Sequence, residues 1–172
     1  QSSRRFRDTE RKQEMPSKPA TTPILPVLQP GGVRYAPGMR AGRWLFGTGH
    51  KGTADFKRMA PEVVDKAAPR YGLPKHKKEA KRVFECMAKI LEAGGSDADH
   101  VVRVDQYYRH GQVVPAYHEV RREFFGGRVP PSTSNLHQDF LLLGQDMEVQ
   151  FMAALPAEGM MPETSRSAES PR

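Results

Sequence analysis

Between Lys78 and Gly95 the apolar residues Val83, Phe84, Met87, Ile90 and Leu91 recur at helical spacing. Glu85 and Lys89 add an i,i+4 pair, and Gly94-Gly95 supplies the stop. The chain then turns at once to Val101-Val102-Arg103-Val104-Asp105-Gln106-Tyr107-Tyr108, a run β-branched and aromatic enough for a strand. An amphipathic helix feeding directly into a strand has to lay its apolar stripe on a sheet, so this pair sets the fold class.

The flanking segments extend the pattern. Val33–Ala36 and Arg43–Phe46 are short β-prone runs separated by Pro37-Gly38 and Gly42, which predicts two antiparallel strands. A connection containing Pro61, Pro69 and Pro74 follows. Pro115 suits a first helical turn, and Ala116, Val120, Glu123 and Phe124 space out a second helix that Gly126-Gly127 ends. Ser132–Leu143 is expected to hold a further strand. Asp146–Leu155 alternates, with Met147, Val149, Phe151 and Ala153 on one face and Glu148, Gln150, Met152 and Ala154 on the other. The order ββ, α, β, α, ββ gives an α+β fold with two helices on one face of a mixed sheet.

The ends differ in character. Residues 1–24 are polar and Pro-containing, carry six Lys or Arg against three Asp or Glu, and read as a basic flexible tail; residues 157–172 are Pro-, Ser- and Glu-rich and read as a second one. One domain, 25–156, lies between them. The net charge of +7 is spread along the 172 residues, and only Arg70, Lys75, Lys77, Lys78, Lys81 and Arg82 cluster. No aromatic residues interleave with them as a base-stacking platform requires, so a solvated helix entrance or a phosphate-binding patch is expected there. The single cysteine, Cys86, excludes an internal disulfide and reads as a core thiol. No Cys/His cluster has zinc spacing, and no apolar stretch approaches the roughly 20 residues that span a bilayer, so no metal, no cofactor and no membrane insertion are expected. The Arg/Ser-rich opening, Gln1 to Arg7, is similar to an organelle presequence remnant and points to the mitochondrial matrix, with the cytoplasm as the alternative.

Three local segments, in this order, carry a resemblance. Gly38-Met39-Arg40-Ala41-Gly42-Arg43-Trp44-Leu45-Phe46-Gly47-Thr48-Gly49 is similar to a glycine-bounded strand leading into a Ser-Gly-Gln turn. Leu91–Ser96 before Val101–Val104 is similar to an "EAAGSS…VVKV" segment, and His118–Phe125 to an "NEVYxxFF" helix. Together they resemble the RidA (YjgF-type) reactive-intermediate deaminases, also called endoribonuclease L-PSP, over about Val33 to Leu155. The resemblance implies a trimer with a barrel-like core, formed with itself or with homologous subunits, and ligand pockets in the clefts between neighbours.

By the same resemblance the pocket would be lined by Tyr35, Thr48, Gly49, His50, His118, Ser132, Ser134 and Gln150. In deaminating relatives an Arg in a Pro-x-Arg-Ser-type segment pairs with the substrate carboxylate; here Val129-Pro130-Pro131-Ser132-Thr133-Ser134 puts Ser132 in its place. A serine hydroxyl offers one neutral hydrogen bond where a guanidinium grips bidentately. The family glutamate that positions the hydrolytic water is matched to Gln150, whose amide cannot take a proton. His118, Ser132 and Gln150 are thus the catalytic candidates, although none of them restores the charged pair. His118 reads either as a recruited acid or base or as an ordinary histidine bonded across a subunit boundary. A metal pair of His50 and His118 lacks a third ligand, and His137 and Asp139 read as loop residues.

The expectation from the sequence is therefore a non-deaminating trimer, a pseudoenzyme, acting as a binding or structural subunit whose basic tails reach other proteins or RNA. Two alternatives stand beside it. One is a hydrolase or deaminase-like enzyme for an uncharged enamine or imine in the intersubunit cleft; the other is an RNA-associated protein.

Overall fold

The computed structural model describes residues 20–28, 32, 34–54, 58–64 and 74–157. Strands β1 (Thr21–Ile24), β2 (Val27–Leu28), β3 (Arg34–Tyr35), β4 (Gly38–Ala41) and β5 (Trp44–His50) come first, then helices α1 (Pro61–Val64) and α2 (Lys75–Gly94). β6 (Val101–Tyr108), α3 (Val114–Phe124), β7 (Ser132–Leu136) and β8 (Met147–Ala154) complete the order. Six strands form one mixed sheet in the order β1-β4-β5-β8-β6-β7, with β2 and β3 paired separately. β6 and β7 run parallel, which their connection through α3 permits, and every other pair is antiparallel. The α+β class and the mixed sheet agree with the sequence.

α2 follows its apolar stripe: Val83, Phe84, Met87, Ile90 and Leu91 are buried, and Gly95 closes the helix in the left-handed region at φ 79°. In α3 Tyr117 and Val120 are buried, and both helices lie on the sheet face formed by Val104, Tyr108, Val149, Phe151 and Ala153. Phe84 holds the two helices together, stacking on Tyr117 at 5.4 Å and on Phe124 at 4.8 Å. Cys86 is buried, as its place beside the stripe implied.

Among the described residues no helix lies on the opposite face. Met39, Trp44 and Phe46 are exposed there, in register with one another and with Met152 and Ala154. Among the described residues no helix is long and apolar enough to cross a membrane.

Two expectations are corrected at the N-terminal side. Residues 21–24, assigned to the tail, form β1 along β4; Ile24 is buried, and the bare Gly38 lets β1 and Ile90 of α2 close on the backbone. The partner of β5 is Gly38–Ala41, turning at Gly42 (φ 57°), while Arg34–Tyr35 pairs with Val27–Leu28 instead. Proline and glycine marked a break before Gly38, yet Pro37 merely ends one strand and Gly38 begins the next. The rest of the expected N-terminal tail, residues 1–19, and all but the first residue of the C-terminal one lie outside the described residues, as does Arg70 of the basic cluster.

Candidate functional site

β8 is central to the site because it lies between β5 and β6 and exposes every second residue to the uncovered face. Glu148 and Gln150 are half-buried on that face, opposite Tyr107 and Asp105 of β6. With His137, Asp139, Phe140 and Leu141 of the segment after β7, the residues Tyr107, Glu148 and Gln150 line a cleft of about 470 Å³. The His137 ring packs edge-on against Tyr107 at 5.1 Å and over Phe140 at 6.0 Å, so the residues expected to be plain loop form a cleft wall.

A second, much smaller recess of about 20 Å³ is lined by Tyr35, Gly49, His50, Lys51 and Thr53. The register of β5 against β8 slips between Gly47 and His50, and this irregularity aims Gly49 at Glu148. A side chain at 49 would overlap the Glu148 carboxylate, so glycine is what allows the acid to lie on the β5 backbone. The carboxylate is held by Lys51, whose Nζ is 3.4 Å from Oε2, and by Gln145, whose Nε2 donates to Oε2 at 3.1 Å. Lys51 Nζ also donates to the Gly49 carbonyl at 3.3 Å. Burial raises the pKa of the Tyr35 phenol, a hydrogen bond with the Thr48 side chain opposes the rise, and the Glu148 charge adds to it. Tyr35 therefore keeps its proton at neutral pH.

His50 lies on the floor of this recess, only 2% exposed, with its ring 5.4 Å from Phe151. Burial first, and the Lys51 charge second, lower its pKa to about 3. The ring is neutral near physiological pH and serves as a core side chain rather than a proton carrier.

The remaining candidates lie elsewhere. Ser132 and Ser134 of β7 pair with Val104 and Gln106 of β6, which places them toward the helix-covered side. There the guanidinium of Arg121 on α3 reaches Ser132: its Nη1 donates to Ser132 Oγ at 3.1 Å and to Gln106 Oε1 at 3.0 Å. Gln106, fully buried, donates in turn to Ser134 Oγ at 3.1 Å. His118 precedes this group on α3, with its ring 5.9 Å from Tyr117; burial, then Arg121 and Arg122, lower its pKa. His50 and His118 are not joined in any metal-capable group among the described residues.

One chain thus places Tyr35, Gly49 and His50 around the small recess, with Thr48 bonded to Tyr35, puts Gln150 in the cleft, and keeps Ser132, Ser134 and His118 toward the helix-covered side of the sheet. Ser132 and Gln150 are neutral, and a charged side chain lies close to each. A carboxylate stands two residues before Gln150 on the same strand face, and a guanidinium reaches Ser132 from α3. Strand alternation could have identified the acid, since 148 and 150 share a face; the arginine has no linear signal, being one helix away from its partner. Three of the six residues of the basic cluster are engaged in structure. Lys75 pairs with Asp146, Lys77 with Glu119, and Arg82 with Glu85 and the Thr53 and Ala54 carbonyls.

The sequence matches the profile of endoribonuclease L-PSP over residues 29–155. No curated protein matches the sequence at a significant level. Solved structures with a similar fold include a protein of unknown function from Pseudomonas aeruginosa, at 20% identity and a TM-score of 0.67, covering 80% of this chain and 94% of that one. Yeast Mmf1 is similar at 16% identity and a TM-score of 0.64, over 80% of this chain and 100% of that one. RidA from the Antarctic bacterium Psychrobacter sp. is similar at 21% identity and a TM-score of 0.55, over 70% and 88%. At these identities the structural likeness speaks for the fold, and the profile covers most of the sequence. The chain belongs to the endoribonuclease L-PSP family, the group that includes the YjgF and RidA proteins.

Proposed function

We propose that the chain is a hydrolytic subunit acting on a small imine or enamine, in a cleft completed by a second copy, with Glu148 as the carboxylate that activates water. The observation that carries the reading is the position of Glu148. It borders the large cleft, lies against Gly49 in the small recess, and stands near Tyr35, whose phenol remains a donor at neutral pH. In such a site water adds through oxygen to the imine carbon, and its proton passes to Glu148. Glu148 hands that proton to the nitrogen to give a carbinolamine, then carries the carbinolamine's hydroxyl proton to the amino group as the C–N bond breaks, leaving a carbonyl compound and ammonia. Positioned carboxylates of this kind are worth about 10² to 10⁴ in rate.

Within one chain Arg121 and Glu148 lie on opposite faces of the sheet. A site using both charges therefore needs a neighbouring copy. The uncovered face, with Met39 37%, Trp44 45% and Phe46 39% exposed, is the surface on which the trimer implied by the family resemblance would close. In that assembly Arg121, reached through Ser132, would be the cation available to a substrate carboxylate.

The test is ammonia release from an imine generated out of 2-aminoacrylate, measured on protein whose native mass is determined in parallel. Turnover above the uncatalysed rate by a trimer is the expected result, and a trimer without turnover would overturn the reading. One observation favours a second reading, a non-deaminating binding or structural subunit. Lys51 and Gln145 both already engage Oε2 of Glu148, an arrangement that needs no substrate. Absence of turnover together with stoichiometric co-purifying partners would support it.

A further inference from the structure

We propose that His76, His110 and Asp146 form a binding site for a divalent cation of the zinc and cobalt class, in which the Lys75 ammonium is the resident competitor. The proposal is independent of the hydrolytic reading, since none of these residues lines either recess described above.

The three residues are far apart in sequence and meet at one end of the sheet. His76 lies in the first turn of α2, His110 in the turn that leaves β6, and Asp146 immediately before β8. One ligand atom from each can be chosen so that all lie within 4.8 Å of one another. His76 Nε2 is 3.2 Å from Asp146 Oδ2, and the two imidazoles meet edge to face with centroids 5.4 Å apart. Tetrahedral zinc with N and O ligands at about 2.0–2.2 Å sets ligand pairs about 3.3 Å apart. The His76–Asp146 pair already has that spacing, and a ligand atom of His110 lies within 4.8 Å of one on each of the other two.

A second observation also points to a ligand. The Nδ1 atom of His110 is buried without a hydrogen-bond partner, a state that costs free energy unless something is bound to it. The support behind the site is built as well: Glu79, fully buried one turn along α2 from Lys75, accepts from the backbone N–H of Asp146 at 2.8 Å and of Met147 at 3.2 Å. That fixes the segment carrying the Asp146 carboxylate, as outer contacts do for metal ligands. Two imidazoles and one carboxylate suit zinc, cobalt, nickel or copper better than magnesium or calcium, and three protein ligands leave one position open to water.

Lys75 pairs with the same Asp146 oxygen that faces His76, and its Nζ lies 3.9 Å from Glu79 Oε2. Arg109 Nε approaches the other Asp146 oxygen at 3.4 Å. The Lys75 side chain is 37% exposed and flexible, so it can withdraw to water as an ion enters. Removing its charge should therefore strengthen metal binding, which is the opposite of what loss of a merely structural contact would do.

The experiment is a zinc titration of the chelator-stripped full chain against a chromogenic chelator, with cobalt substitution read by its absorption spectrum. One ion per chain is expected. His110→Ala and His76→Ala should each weaken binding more than about tenfold, Lys75→Ala should tighten it, and His100→Ala should leave it unchanged. Thermal unfolding of each variant in the absence of metal reports whether the fold is intact. The proposal is overturned by the absence of saturable zinc binding to the unaltered chain, by equal affinity for magnesium, or by a folded His110→Ala variant that binds as tightly as the parent. Unchanged or weaker binding by Lys75→Ala overturns the competitor role.

Discussion

Replacing His50 by Gln removes a group that should make this fold sensitive to mild acid. In the folded chain His50 is 2% exposed, its Nε2 has no hydrogen-bond partner, and its pKa is lowered to about 3. In the unfolded chain an imidazole titrates near 6.5. Between those two values the unfolded state binds the proton and the folded state does not, so stability rises with pH through that window and falls as pH drops. With one pKa unit equal to about 1.4 kcal/mol, the loss from this one residue on going from pH 7 is about 2 kcal/mol at pH 5 and about 3 kcal/mol at pH 4. The effect levels off near pH 3, where the folded form also protonates. Urea unfolding of the parent and His50→Gln at pH 7, 6, 5 and 4, at one fixed chain concentration, isolates it. Groups such as Asp97 and Asp146 titrate alike in both proteins and cancel in the difference. The parent should lose about 2 kcal/mol relative to the variant between pH 7 and 5. A difference that stays constant within about 0.5 kcal/mol over that range would refute the claim that the ring is buried neutral against Phe151.

Two other substitutions test the packing that places the site. In Gly47→Ala the new Cβ would overlap the Phe151 ring, lying 2.7 Å from Cζ, and the ring, 2% exposed, has no open space to enter; denaturant unfolding should show a loss of about 3 kcal/mol, and a loss under about 0.5 kcal/mol would mean that β5 and β8 pack differently. Tyr117→Phe keeps the buried ring that stacks on Phe84 but removes a hydroxyl with no partner. It should leave stability unchanged or raise it by about 1 kcal/mol, whereas a clear loss would show that the hydroxyl is bonded.

The sequence revealed most where one periodic signal met one buried face. α2 and β8 were legible because Val83 to Leu91 and Met147 to Ala153 each direct a single apolar stripe into the common core. β1 was not, because Thr21, Thr22 and Pro23 are polar or strand-breaking and only Ile24 is buried; an edge strand needs little else. The hairpin partner of β5 was misplaced by one short run, since turn residues mark a reversal without fixing which flanking residues pair. At the site, matching by linear motif chose Gln150 and passed over Glu148. Alternation puts both on one face, and what distinguishes them, the approach to Gly49, depends on the strand slip after Gly47. Arg121 reaches Ser132 across the α3–β7 connection, and His76, His110 and Asp146 meet only through tertiary packing. Neither grouping has a spacing that could be read in advance.

The central claim is that the working carboxylate is Glu148 rather than a group at position 150. It is tested most directly by comparing kcat/KM for imine hydrolysis in the parent, Glu148→Gln and Gln150→Ala. Glu148→Gln should lower kcat/KM by at least about 100-fold, and Gln150→Ala should change it only a few-fold. Parent-like activity in Glu148→Gln, or an inactive parent, would contradict the claim.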